Sequence, residues 1–236
     1  MYTQALQKFI KNQDIYNQII NSPFSKISFA QFGEDVRINK IFKNISKGNY
    51  VDLGSFHPIH FSNTFLLYLQ GWRGLNIDAN KRMVDLCDKV RPLDKNICAF
   101  ISNEEKKAYY LINEKLPAMN RVVDVLSDKK KEESYKEIKT TKLEMLLDQN
   151  LKYFSEKFYY LNIDLEYLDE LIIKNFDFKK FSPYLITIEI HNFKLKEENN
   201  IFDIILNNDY EFFAYINPTA FFIKKKFRDN NFLIIE

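Results

Sequence analysis

Glycine is scarce in this 236-residue sequence: there are five, beside six prolines, three histidines, two cysteines and one tryptophan. The three-glycine turn G-x-G-x-x-G, which lets a pyrophosphate approach a helix N-terminus, is absent, and with it the usual signature of nicotinamide binding. The cysteines, Cys87 and Cys98, show neither metal-ligand spacing nor a disulfide framework. Both sit among apolar residues and read as core thiols. An excess of one charge is missing too: a net +2 gives no general pull toward nucleic acid or an anionic membrane. There is also no long apolar run. From Met1 to Ile20 apolar and polar residues alternate, which suits neither a signal peptide nor a membrane span, so a chain working in the reducing cytoplasm is expected.

What is abundant is core material. Hydrophobic residues make up 46% of the chain and aromatics 16%, too much for a disordered protein. The length fits one domain over residues 1–236, a helical lead-in through residue 48 and a core from 49 onward. No repeat or linker divides it. Heavy use of Lys, Asn, Ile, Phe and Tyr reads as the coding bias of an AT-rich bacterial genome.

Periodicity predicts helices over Thr3–Ile20 and Gly33–Ile45. The texture then changes to short apolar runs alternating with helical segments. Strands are predicted at Asn49–Gly54, Gly74–Asp78, Asn96–Ile101, Phe158–Asp164 and Leu185–His191. Helices are predicted at Ser62–Gln70, Lys81–Val90, Leu143–Leu151, Leu168–Asn175 and Asn200–Asn208. Between Asn103 and Lys139 the signal is weakest: a strand at Ala108–Ile112, and a polar run, Ser127–Lys136, that suits a loop or an exposed helix. Glu211–Ile216 and Ala220–Lys225, separated by Asn217-Pro218, form a closing hairpin. Strand and helix alternating through five units imply an α/β fold with a mostly parallel sheet covered on both faces.

In such a sheet ligands bind beyond the carboxyl ends of the strands. Four predicted strands carry acids there: Asp52 with Gly54, Asp78, Asp164 with Glu166, and Glu189 with His191. Unpaired acids are costly inside a sheet, so their recurrence at one edge points to a site. Asp78, 24 residues beyond Gly54, has the spacing to accept hydrogen bonds from both hydroxyls of a ribose. Its plain alternative is to cap the following helix.

Several runs resemble the FkbM methyltransferase family in order and spacing. They are Gln31-Phe32-Gly33-Glu34-Asp35; Tyr50-Val51-Asp52-Leu53-Gly54 with His57-Pro58 and Phe61-Ser62-Asn63-Thr64; Gly71-Trp72-Arg73-Gly74 leading to Asn76-Ile77-Asp78-Ala79-Asn80; Arg91-Pro92; and Asn162-Ile163-Asp164-Leu165-Glu166 with Asp169. Ile188-Glu189-Ile190 follows. The resemblance implies a Rossmann-like class I methyltransferase fold: a seven-stranded, mostly parallel sheet with a C-terminal antiparallel hairpin and an N-terminal helical lead-in. It implies S-adenosylmethionine as methyl donor, with Gln31, Asp52, Gly54, Thr64, Asp78 and Ala79 around it and Asp164 and Glu166 at the acceptor. Two departures stand out. Ser55-Phe56 replaces a small residue followed by His or Asn, and Tyr167 replaces the glycine expected after Glu166, crowding the acceptor side.

A hydroxyl acceptor needs a base, or a metal that raises its acidity. Asp164, Glu166 and His191 are the candidate catalytic residues, His191 having a structural role as its alternative; His57 and His60 are lesser candidates. Asp164 and Glu189 are the candidate ligands for Mg²⁺. Gln31 and Glu34 could instead cap the helix near Gly33, and Trp72 reads as core. By resemblance the acceptor is a small molecule, a sugar hydroxyl in a surface polysaccharide or in its nucleotide-activated precursor. The run Lys224–Arg228 could meet a diphosphate, or be a solvated strand end. A homo-oligomer is compatible with the sequence. A nicotinamide-dependent oxidoreductase and a catalytically silent binding module are the rival readings.

Overall fold

A computed structural model describes residues 13–20, 22, 26–116, 120–125, 133–150, 157–166, 168–190 and 200–231. Two helices lead in, α1 (Gln13–Ile20) and α2 (Glu34–Ile41). The chain then alternates through β1 (Asn49–Leu53), α3 (Phe65–Leu69), β2 (Arg73–Asp78), α4 (Lys81–Val90) and β3 (Lys95–Cys98). A less regular stretch holds β4 (Ile101–Ser102), β5 (Lys107–Asn113), β6 (Arg121–Val123), β7 (Glu133–Lys139), β8 (Thr141–Lys142) and α5 (Leu143–Gln149). The regular pattern resumes with β9 (Tyr160–Ile163), α6 (Asp169–Asn175), β10 (Leu185–Glu189) and α7 (Asn200–Leu206). The last elements are β11 (Tyr210–Ile216), β12 (Thr219–Lys224) and α8 (Lys225–Asn231). Among the described residues no helix is long and apolar enough to cross a membrane.

Seven strands form the central sheet in the order β11-β12-β10-β9-β1-β2-β3. All neighbours from β10 to β3 are parallel, and β12 runs antiparallel to β10 and β11. This is the predicted α/β architecture, hairpin included. The chain enters at β1, builds toward β3, then returns to lay β9 against the other side of β1. That reversal opens the crevice of a doubly wound sheet between β1 and β9.

Short apolar strands form here because both faces are covered. Val51, Leu53, Leu75, Ile77, Leu161 and Ile163 face one core with α5, α6 and α7. Tyr50, Tyr160, Leu185, Phe221 and Ile223 face the other, against Ile38, Ile41 and Phe42 near α2 and Phe227 of α8. Trp72 is fully buried there, its ring 4.9 Å from Phe42, as core packing requires.

On that second face a polar row crosses the sheet. Asp52 is level with Asn76 on one side and Asn162 on the other; Thr187 continues the row beyond Asn162, and Asn96 beyond Asn76. Four of these five residues are buried, so their polar groups need partners, and most find them along the row. Asn162 Nδ2 donates to Asp52 Oδ1 at 2.8 Å, Thr187 Oγ1 donates to Asn162 Oδ1 at 2.7 Å, and Asn76 Nδ2 donates to Asn96 Oδ1 at 2.8 Å.

Three expectations are corrected. Cys87 is buried but Cys98 is exposed, because β3 is an edge strand. The predicted strand Asn96–Ile101 is two strands, β3 and β4. Residues 133–136, expected in a loop or exposed helix, belong to β7, which pairs with β5; β6 pairs with its other edge to make a separate three-stranded antiparallel sheet. Residues 126–132 and the first part of the predicted helix Thr3–Ile20 lie outside the described residues.

Candidate active site

The carboxyl ends of β1, β2 and β9 are tied together by backbone. Gly54 N–H donates to the Ile77 carbonyl at 2.9 Å, and Asp164 N–H donates to the Leu53 carbonyl at 3.0 Å. Gly54 has φ +75, and a Cβ there would stand 1.7 Å from the Asp164 carbonyl oxygen. Glycine is needed both for the left-handed turn and for the close approach of β9. A cavity of about 270 Å³ opens over this junction.

Asp78, the last residue of β2, forms part of its wall. Its Oδ2 accepts the Phe56 N–H at 2.7 Å and its Oδ1 accepts the Asn80 N–H at 2.7 Å. Each oxygen keeps a further lone pair for a ligand hydroxyl. Burial pushes its pKa up to about 6, against the lowering effect of the two N–H groups. The capping alternative is answered differently: the helix α4 is capped by Asn80, whose side chain accepts from Arg82 N–H.

Across the junction Asp164, Glu166 and Glu189 face the same cavity, each offering one oxygen within 4.8 Å of the others. Protein surrounds the Asp164 carboxyl, yet the cavity leaves it open to solvent. Burial is the largest influence holding its pKa well above the usual carboxylate range, with repulsion from Glu189, Asp169, Glu166 and Asp52 adding to it. Glu166 sits at φ 48, a region costly for a residue with a Cβ. Such a group can share a proton or hold a divalent cation.

Gln31 also lines the cavity, and the lead-in is fixed by the start of α2. Asp35 accepts Ser28 Oγ at 2.6 Å and Phe29 N–H at 2.7 Å, while Glu34 accepts Phe32 N–H at 2.8 Å. Glu34 thus pins the lead-in loop to the helix, and Gln31 is left facing the site. Of the other expected residues, Gly54 and Ala79 line the cavity with Asp78, Asp164 and Glu166. Asp52 and Thr64 do not. Thr64 Oγ1 donates to Asp52 Oδ2 at 2.6 Å, and both side chains are buried beneath the loop that follows Gly54. Burial raises the Asp52 pKa, while Thr64, Arg91 and Asn162 oppose that shift.

Arg91 closes this buried network. It is 0% exposed, donates to Asp94 at 3.0 Å, to Thr64 at 2.9 Å and to the Tyr50 hydroxyl at 2.6 Å. Removing one member of a buried pair typically costs about 3–5 kcal/mol, because the other charge is stranded. Arg91→Met is therefore expected to lower the melting temperature by roughly 10 °C. A shift of only a degree or two in thermal unfolding would show that Asp94 and Asp52 are satisfied without it.

His191 and Tyr167 lie outside the described residues. His57 does not line the cavity; its Nδ1 accepts the Ile59 and His60 N–H groups, and its ring lies 4.5 Å from that of His60. Lys224–Arg228 does not line it either: Lys224 bonds Ser182, and Arg228 pairs with Glu211. Sequence reasoning missed Tyr110 and Val122, which reach the cavity from the three-stranded sheet, Asn120 just before β6, and the aromatic pair Phe56 and Phe61. Phe61, 60% exposed, and Phe56 both have positive φ, which no local motif announces.

Comparison with known proteins finds no match among curated sequences. A solved structure, a TehB-like SAM-dependent methyltransferase from Corynebacterium glutamicum, is similar over 95% of this chain and 98% of its own, at 12% identity and a TM-score of 0.39. The methyltransferase FkbM domain matches residues 40–221, a span running from the end of α2 into β12 and including the strand ends that form the cavity. The chain belongs to the FkbM methyltransferase family.

Proposed function

We propose that the protein transfers a methyl group from S-adenosylmethionine to a hydroxyl oxygen, in the cytoplasm, on a sugar of a surface polysaccharide or of its nucleotide-activated precursor. The observation that carries this reading is one cavity with Asp78 on one side of the β1 junction and three carboxylates on the other. The residues suit the donor. A ribose diol can donate to the free lone pairs of Asp78, and a ligand with a sulfonium and an ammonium group favours a wall of carboxylates. No phosphate is present in such a donor, which removes the need for a three-glycine loop.

When bound, the donor supplies a methyl carbon open to in-line displacement. Gly54 and the backbone ties around it fix the distance between the two walls, the kind of positioning on which such a displacement depends. Asp164 accepts the proton of the acceptor hydroxyl as the new O–C bond forms and the S–C bond breaks. A carboxylate whose pKa is raised is a stronger base once ionised. Asp164 and Glu189, with Glu166 beside them, would hold Mg²⁺ by oxygen ligands, and the ion would supply the same activation by raising the acidity of the hydroxyl. Turnover that survives a chelator selects Asp164 acting as the base.

Donor binding tests the reading directly. Asp78→Ala is expected to weaken S-adenosylhomocysteine binding roughly 30- to 100-fold, about 2–3 kcal/mol, from two charge-assisted hydrogen bonds partly recovered by water. The ribose hydroxyls favour the ionised carboxylate, so wild-type affinity should fall as pH drops through about 6. Stability moves the opposite way. The contribution from proton binding at Asp78 is present below the ordinary carboxylate pKa and is lost as pH rises through about 6. Calorimetry showing unchanged affinity in folded Asp78→Ala, flat with pH, would remove the assignment.

A further inference from the structure

On the side of Asp78 away from the three carboxylates, the cavity runs toward the end of β3 and the start of β4. Ala99 and Ile101 give it apolar walls there, and Tyr110 of β5, Val122 of β6 and Asn120, the residue just before β6, complete it. That sheet is fixed in place: Tyr110 and Ala108 pack with Ala79, Phe100 and Val122. A purine attached to a ribose held by Asp78 has this slot beside it.

Asn120 is the polar residue of the slot whose orientation is determined. Its Oδ1 accepts the Asn113 backbone N–H at 2.7 Å. Only the amide oxygen can accept that bond, so the amide cannot flip without losing it. The Tyr110 hydroxyl is the other partner of Asn120, and burial pushes this phenol up to about 12, so it remains neutral. An amide held this way still offers a carbonyl lone pair and an N–H, in a fixed order. Side-chain amides recognise adenine by that complementarity, accepting from the N6 amino group and donating to a ring nitrogen. A 6-oxo purine presents the reverse order along its N1 edge, an acceptor at position 6 and a donor at N1.

We propose that Asn120, held by Asn113 and Tyr110, reads the adenine edge of the donor and discriminates 6-amino from 6-oxo purines. The specificity for the nucleoside would then come from the loop that leads into β6 of the three-stranded sheet and not from the loops of the central one. The inference rests on the donor reading above, in which Asp78 holds the ribose.

The test is calorimetric titration of the intact protein with S-adenosylhomocysteine and with S-inosylhomocysteine. Wild type should prefer the adenosyl ligand by roughly 10- to 100-fold, the discrimination of one bidentate amide contact. Asn120→Asp keeps an acceptor for the Asn113 N–H but replaces the donor, so the preference should fall at least tenfold and move toward the inosyl ligand. Asn120→Ala should abolish the preference while weakening both. A wild-type ratio near one overturns the proposal whether or not any variant folds. An unchanged ratio in Asn120→Asp overturns it also, leaving the donor reading intact. If wild type binds neither ligand, the donor reading itself falls and this inference with it.

Discussion

Gly54→Ala should destabilise the protein by roughly 2–5 kcal/mol and bring donor affinity down with it. Two costs combine. A left-handed backbone costs a residue with a Cβ about 1–2 kcal/mol, and overpacking a tight junction costs about 1–3 kcal/mol more. The clash is with the Asp164 carbonyl oxygen, 1.7 Å from the added carbon, and not with a side chain that could turn away. Relief requires β1 and β9 to part at the point where Asp164 N–H bonds Leu53. That movement separates Asp78 from Asp164, so S-adenosylhomocysteine affinity should fall even in protein that remains folded. Thermal unfolding and calorimetry measure the two effects separately. Normal melting and normal affinity together would mean that the junction tolerates a gap.

The largest effect on turnover is expected from Asp164→Asn. General-base assistance is typically worth about 10²–10⁴-fold, and the amide preserves the shape of the side chain while losing its ability to take a proton. Donor affinity should change less than turnover, because Asp78 on the other wall is untouched and Glu166 and Glu189 still face the cavity. The rate should also respond to pH in a way the variant does not share. The Asp164 pKa is raised by burial and by its acidic neighbours, so ionisation, and with it the wild-type rate, increases as pH rises through that raised value. A variant that keeps wild-type turnover, with or without chelator, would move the acceptor chemistry to other residues.

Much of this arrangement was legible because the central strands are buried on both faces. Tyr50-Val51-Asp52-Leu53 and Tyr160-Leu161-Asn162-Ile163 are short, dense and followed by turn residues, a pattern few other structures produce. Asp78 and Asp164 were legible as wall residues because one ends its strand and the other follows its strand. Asp52 has a similar sequence context but stands one residue inside β1, on the face of Tyr50, and points into the second core. Position along the strand, not the presence of an acid, separates the two roles. Of the three-stranded sheet only its central strand was legible, as the run Ala108–Ile112 within β5; its two partners were not. Ser134–Lys139 is solvent-facing except for buried Ile138, and the order of this strand comes from pairing with β5 rather than from apolar alternation. Asn120 gave no signal at all, since its role depends on Asn113 of β5, brought close by the pairing of β5 with β6.

The row formed by Asn96, Asn76, Asp52, Asn162 and Thr187 has a consequence for how the chain assembles. Parallel sheets are built from distant segments and form slowly, so their register has to be set by contacts between residues far apart in the chain. Here Asp52 and Asn162 come from segments 110 residues apart. A slide of β9 by one residue turns Asn162 to the opposite core. A slide by two brings Asp52 opposite Tyr160 or Asp164 and leaves a buried carboxylate without its amide. Stranding a buried charge costs several kcal/mol, a large share of the total stability of a domain. The polar row therefore acts as an alignment key: a misaligned sheet is penalised at its centre before the cavity at its edge can form.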